Sequence, residues 1–529
     1  MPSLIHELLL HSADRLPRQQ ALTYQGECLD YGVLAAQVVK CAAGFLHTGL
    51  GRSERVAIFL EKRIETVIGI FGAAAAGGVF VPVNPLLKPD QVAYILKDCN
   101  VRILVTSAVR LKLLAPVLSG CHDLHTVIVV GAVDDPEALP GLTMIAWDQA
   151  LAGKVSAQAH RVIDTDMAAI LYTSGSTGKP KGVVLSHRNM VAGAQSVAQY
   201  LENHVDDRIL SALPLSFDAG FSQLTTAFHA GARVTLINYL LPRDVLDAVV
   251  QERITGLTAV PPLWIQLAQL KWPPAVTGHL RYIANTGGHM PKATLNRLRA
   301  ALPKTLPFLM YGLTESFRST YLPPAEIDRR PDSIGKAIPN AEVLVVREDG
   351  TPCAPGEPGE LVHRGALVSL GYWNDAEKTA ERFKPVPNQA AGLVMPEMAV
   401  WSGDTVRTDE DGYLYFISRR DEMIKTSGYR VSPTEVEEIV YATGMVAETA
   451  AIGIPHPALG QAIVVIATPR EGGALDVDKL LAECRQRLPA FMVPALIKPR
   501  AGNLPRNPNG KIDRKLIAQE MQDLFEVKP

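Results

Sequence analysis

The segment Tyr172-Thr-Ser-Gly-Ser-Thr-Gly-Lys-Pro-Lys-Gly182 gathers hydroxyls, glycines and lysines in one short stretch. Thr173, Ser174, Ser176 and Thr177 can donate to phosphate oxygens, and Lys179 and Lys181 add positive charge. Gly175 and Gly178 let the backbone curl so that its N–H groups converge. Such a loop is suited to polyphosphate. It departs from the P-loop pattern, because Lys179 follows Gly178 only three residues after Gly175, and Pro180 stands where a magnesium-binding Ser or Thr is required. The bland alternative is a Gly/Ser surface loop, which rarely concentrates hydroxyls and lysines in this way.

A loop of this kind needs a rigid frame. The apolar run 168–171 reads as the strand that delivers it, and β-rich runs recur at 55–60, 101–105, 126–130 and 233–237. Between such runs lie helical patterns such as 89–98, where Pro89 starts a helix and Val92, Ile95, Leu96 and Cys99 share a face. The alternation implies α/β sheets with parallel strands. The uncharged stretch 66–87 contains Gly77, Gly78, Pro82, Asn84 and Pro85, so it reads as helix, glycine stop and strand 79–83 rather than a membrane span.

The composition, 47% apolar and 20% charged over 529 residues, is that of a globular protein of several subdomains. A net charge of −2 without a basic block argues against a nucleic-acid partner. Six cysteines without a CxxC pair form neither a disulfide framework nor a zinc site, and residues 1–14 lack a basic leader region. A reduced, cytoplasmic protein is expected.

A boundary is expected near Arg419-Arg420-Asp421, after the strand-like run 413–417, dividing the chain into 1–418 and 421–529. Beyond it, Ser432-Pro-Thr-Glu435 reads as a capping box opening a helix, followed by a strand at 462–467 and a helix at 476–488. The turn 507–510 then delivers Lys511.

Further motifs follow in order: Tyr311-Gly-Leu-Thr-Glu315, Trp401-Ser-Gly-Asp-Thr405, Ser418-Arg-Arg-Asp421, Lys425-Thr-Ser-Gly-Tyr-Arg-Val431 and Pro505-Arg-Asn-Pro-Asn-Gly-Lys511. With the hydroxyl-rich loop, they make the chain resemble, over essentially its whole length, the adenylate-forming superfamily of AMP-forming acyl-CoA synthetases, peptide-synthetase adenylation domains and luciferases. The resemblance implies a large N-terminal domain of layered α/β sheets and a smaller, mobile C-terminal α/β domain. It implies that a carboxylic acid is adenylated by Mg-ATP and then passed to the phosphopantetheine thiol of CoA or of a separate acyl or peptidyl carrier protein. Only fourteen residues follow Lys515, so the thiol is expected on free CoA or on a separate carrier protein. The rival readings are a stand-alone amino-acid adenylation enzyme and, more remotely, a nucleotide-binding pseudoenzyme.

By the same resemblance Thr173 to Gly178, Lys179 and Lys181 would hold phosphates, and Tyr311, Gly312, Gly287 and Gly288 would flank adenine. Asp404 would accept from the ribose, with Arg419 nearby. Glu315, beside Thr314, would hold Mg²⁺. Lys511 would bridge the carboxylate and the nucleotide, Asp421 would be the hinge, and Gly428 and Arg430 would meet pantetheine or CoA, although a plain surface arginine fits Arg430 equally well. Ser418 replaces the family's usual glycine.

Leu213-Pro-Leu-Ser-Phe-Asp-Ala219 resembles the acyl-substrate segment, placing Phe217, Asp218, Ala219 and Ser222 in the pocket. Ala259, Ala284 and Thr286 would line it further, as would Met310, Arg318 and Ser319. A buried Asp218 needs a cation. An amino acid's ammonium is the favoured candidate, leaving Arg318 for a second acidic group; pairing of Arg318 with Asp218 is the alternative and implies a neutral pocket.

Overall fold

A computed structural model describes residues 2–131, 139, 141–153, 158–173, 179–288, 290, 292–387, 389–390, 392–419, 423–469, 474–505 and 512–525. The described residues form sheets of fourteen, seven and five strands. In the largest, Gln20–Tyr24, Arg233–Leu236, Arg208–Ser211, Gly256–Ala259, Tyr282–Asn285 and Leu306–Tyr311 run parallel as neighbours, and antiparallel strands continue beyond them. In the seven-stranded sheet, Arg55–Phe59 lies between Val79–Pro82 and Val101–Ser107, all parallel. Met167–Thr173 follows on the far side of Val79–Pro82 and turns back as the antiparallel Lys181–Ser186.

The expected helix at 89–98 is present as Pro89–Asp98, and the stretch 66–87 folds as helix Ile64–Ala76 and strand Val79–Pro82. That helix is apolar on every side because it packs against neighbours all round: Phe71 meets Phe228 at 5.3 Å, while Phe80 of the seven-stranded sheet meets Phe221 at 5.1 Å. Phe221 and Phe228 belong to helix Asp218–Ala230. Among the described residues, no helix is long and apolar enough to cross a membrane. All six cysteines are free thiols.

The five-stranded sheet takes its strands from residues 424–499, and none of them joins the other sheets. Helix Pro433–Ala442 begins where Ser432-Pro433 predicts, but the capping box does not form. The Ser432 hydroxyl has no partner among the described residues, and Glu435 instead accepts from Gln91 Nε2 at 3.2 Å. Burial against the N-terminal part of the chain draws the Glu435 carboxyl away from its own helix start.

Three histidines, the half-buried His6 and the fully buried His187 and His363, are each lowered to about 4, principally by desolvation. Both ring nitrogens of His363 lack partners among the described residues. An unfolded chain protonates these rings below about pH 6.5, whereas the folded chain resists until about pH 4. Stability therefore falls as pH drops through that window, by roughly 2 kcal/mol per ring at pH 5. Urea titrations at pH 7 and pH 5 check this: His363→Leu is expected to flatten the pH dependence by about that amount, and an unchanged slope would exclude His363 as a contributor.

Candidate functional site

Parallel strands leave a crevice at their C-terminal ends, where loops diverge and side chains converge. Here the ends of both large sheets face one cavity of about 160 Å³. Thr173 follows from one sheet, and Thr286, Gly287, Gly312 and Thr314 from the other. The loop after Arg208–Ser211 supplies Phe217, Asp218 and Ala219, while Gly428, Arg430 and Glu435 close the cavity from the C-terminal part.

The phosphate-loop strands meet in register, Thr173 opposite Lys181. Ser174, Gly175, Ser176, Thr177 and Gly178 lie outside the described residues, as do Asp421 and Lys511. Lys179 is exposed. Lys181 Nζ stands 5.0 Å from the centre of the Tyr372 ring, and the Tyr372 hydroxyl donates to Glu315 Oε1 at 2.6 Å. Burial, then the Lys378, Arg382 and Arg430 charges, lowers the Lys181 ammonium from its ordinary value.

Glu315 is only 8% exposed. Burial pushes its carboxyl up, but Arg430, the Tyr372 hydroxyl and Arg382 outweigh it and hold the group ionised, below the usual range. Its Oε2 has no partner among the described residues. A single buried carboxylate with an unfilled oxygen, ringed by cations, fits a hard divalent ion that arrives already coordinated by phosphates. Nearby, Tyr311 O–H donates to Asp404 Oδ2 at 2.5 Å, and the Asp404 backbone pairs with Arg419. The residues expected at adenine and ribose thus stand together.

The acyl-pocket expectation needs correction. Arg318 is already paired with Asp218: its Nη1 donates to Asp218 Oδ2 at 2.9 Å. Asp218 opens helix Asp218–Ala230, where the helix dipole also favours a carboxylate. Ala259, Ala284 and Ser319 line neither this cavity nor the small chamber of about 20 Å³ beside it. Strand alternation puts Thr258 on the chamber side and Ala259 on the opposite face. The methyl of Ala284 packs into the core, and the Ser319 hydroxyl turns to Ser316 at 2.9 Å. Ser222 and Met310 do border the chamber.

Arg430 is not a plain surface arginine: it lines the inner cavity, and its charge helps hold the Glu315 carboxyl down. Gly428 lies between that cavity and a larger cleft of about 800 Å³, which also includes Gly287, Gly288, Lys425 and His456. Its φ of +82° and a Cβ position only 2.7 Å from Val260 Cγ2 leave room for glycine alone.

Sequence reasoning missed Tyr372, Lys378, Arg382, Gln223 and Glu435. Lys378 and Arg382 are four apart on helix Ala376–Arg382, one basic face that the spacing could have shown. Burial pushes Glu435 up to about 7. Nothing local in the sequence announces that contact across the fold.

The AMP-binding enzyme family profile matches residues 9–373, and that of the AMP-binding enzyme C-terminal domain matches residues 435–511. The chain is 31% identical to the L-proline–[L-prolyl-carrier protein] ligase of Pseudomonas fluorescens, over 98% of this chain and 99% of that protein. It is 29% identical to the indoleacetate–CoA ligase of Aromatoleum aromaticum, over 95% of each. The amide bond synthetase McbA of Marinactinospora thermotolerans shares the fold, with a TM-score of 0.84 at 22% identity, covering 98% of this chain and 99% of that one.

Removing one member of a buried ion pair strands the other. Arg318→Leu is expected to cost about 3 to 5 kcal/mol in urea unfolding, and Asp218→Leu/Arg318→Leu to recover much of it. Additive losses in that cycle would show that the two groups do not stabilise each other.

Proposed function

We propose how a chain that belongs to the AMP-binding enzyme family, an AMP-forming acid–thiol ligase, divides its two half-reactions over this site. The carboxylate of a small acid attacks the α-phosphorus of ATP, the bond to pyrophosphate breaks, and the acyl adenylate forms. A pantetheine thiol then attacks the acyl carbon, the bond to AMP breaks, and the thioester forms. Mg²⁺ bound with the nucleotide would supply charge neutralisation on the phosphates, and Glu315 is the residue we assign to hold it.

The chain's own groups do the positioning. Tyr311, Gly287, Gly288 and Gly312 take the adenine, Asp404 accepts from the ribose, and Arg419 supports it from the neighbouring strand. Thr173 and the loop to Gly178 cradle the phosphates with Lys179 and Lys181. Thr314, on the cavity wall beside Glu315, is assigned to the same catalytic end. Lys181, Lys378, Arg382 and Arg430 give that end the positive field in which negative charge builds during phosphoryl transfer. Lys511 is assigned to bridge carboxylate and α-phosphate.

The observation that carries the reading is the meeting of two cavities at Gly287 and Gly428. The Gly428 carbonyl lies 3.9 Å from where a Cβ of Gly287 would stand, so the C-terminal part overhangs the nucleotide turn and leaves a narrow passage from the larger cleft. A thin thiol arm suits that passage, and such an arm is common to free CoA and to a separate carrier protein. The division into 1–418 and 421–529, hinged at Asp421, gives the C-terminal part freedom to exchange this arrangement for one that presents Lys511. Six free thiols suit a reducing compartment, and we place the enzyme in the cytoplasm.

The Arg318–Asp218 pair makes the acyl wall neutral and favours an acid without an ammonium group. Amino-acid loading of a carrier protein is the second reading, favoured by Phe217-Asp218 and by the similarity to the L-prolyl-carrier protein ligase.

Half-reaction measurements test the assignment. Lys511→Ala is expected to slow adenylate formation, read as acid-dependent ATP–pyrophosphate exchange, by on the order of 10² or more while sparing thioester formation from pre-made adenylate. Gly428→Val is expected to do the reverse. Equal damage to both steps by either variant would remove its role, and no exchange with any carboxylic acid would remove the reading itself.

A further inference from the structure

The cavity has an inner extension whose chemistry bears on the acid. A chamber of about 20 Å³ lies beyond Ala219 and Arg318, which border both spaces. That is room for about one water molecule. Its walls include Ser222, Gln223, Thr226, Thr258 and Met310. The Tyr200 hydroxyl donates to Met310 Sδ at 2.9 Å, which holds that wall in place.

Two polar atoms of wall residues are unfilled. Arg318, with a side chain 3% exposed, uses Nη1 for Asp218 Oδ2 and for the Phe317 carbonyl at 2.7 Å, but its Nε–H has no partner among the described residues. Gln223 is 5% exposed, and its Nε2 donates to the Leu210 carbonyl at 2.7 Å. That bond fixes which end of the amide is which. It leaves Oε1 as an acceptor without a partner among the described residues. Unfilled groups of this kind cost about 1 to 3 kcal/mol each.

The arginine is also held under strain. Phe317 has φ +55° and ψ −48°, and the Arg318 N–H closes on the Ser316 carbonyl at 2.5 Å, a tight γ-turn rarely adopted by a side-chain-bearing residue. Gly193 makes room for it, since a Cβ there would stand 2.4 Å from Phe317 Cδ1. Backbone strain of this kind persists where the surrounding packing over-determines it, commonly at ligand sites.

We propose that the chamber receives a hydroxyl on the tail of a short acid, which accepts from Arg318 Nε–H and donates to Gln223 Oε1. This rests on the acid–thiol ligase reading above and names its substrate class. The pairing discriminates by charge as well as size. A second carboxylate would accept from Arg318 but face the Gln223 oxygen and the Asp218 charge. An ammonium would suit Gln223 but face the guanidinium. A methyl group would leave both polar atoms buried and unfilled.

The test is ATP–pyrophosphate exchange by the full-length enzyme with short straight-chain acids of several lengths, each ending in methyl, hydroxyl, carboxylate or ammonium. At the best length, the hydroxyl acid is expected to exceed the other three in kcat/KM by roughly tenfold or more. An equal or better methyl, carboxylate or ammonium acid would overturn the inference while leaving the ligase reading intact; no exchange with any acid would overturn the ligase reading instead. A folded Gln223→Met variant is expected to lose most of the hydroxyl-over-methyl ratio, and keeping the native ratio would likewise overturn the assignment. The native series decides the matter should that variant not fold.

Discussion

Two opposite charges 2.9 Å apart, Arg318 and Asp218, stand where little water reaches, and either one left there without the other would be costly. Much of the site's architecture follows from keeping them together. Asp218 has to open a helix directly after a parallel strand's loop, and Arg318 has to emerge from a strained turn after another. The pair ties those two loops across the crevice and closes the acyl end with no net charge.

The opposite end of the crevice has the contrary electrostatics. Glu315 is one carboxylate among Lys181, Lys378, Arg382 and Arg430, so the field there is positive although the whole chain is nearly neutral. A highly anionic nucleotide and a weakly polar acyl tail thus have separate destinations within one cleft. Tyr372 links the two signs there, its ring under the Lys181 ammonium and its hydroxyl on Glu315.

How much of this was legible depends on whether the deciding contact was local. Strands such as Thr126–Val130 and the helix Pro89–Asp98 were legible because periodicity and an N1 proline act within a single segment. So were Tyr311, Glu315 and Asp404, which sit in recognisable motifs. What failed was orientation across elements. The Ser432-to-Glu435 spacing suggested a capping box, but burial against Gln91 took Glu435 elsewhere. The family resemblance placed Asp218 and Arg318 in one pocket, while their pairing with each other depends on a contact between two distant loops. Ala259 and Ser319 were assigned by the same resemblance, whereas strand alternation and a neighbouring hydroxyl decide where their side chains go. Gln223 was passed over although Ser222 beside it on the same helix was chosen.

Gly193 carries a consequence for how such an enzyme drifts or is engineered. In the middle of helix His187–Tyr200, alanine is favoured over glycine by about 1 kcal/mol on helix propensity alone, so a design rule that fills helix interiors would make that exchange. The added methyl would press on the Phe317 ring and, through the turn, on the guanidinium that bounds the acyl chamber. Crowding a fully buried ring costs typically about 1 to 3 kcal/mol, more than the helix gains, so this glycine ties the stability of one helix to the shape of the acyl chamber.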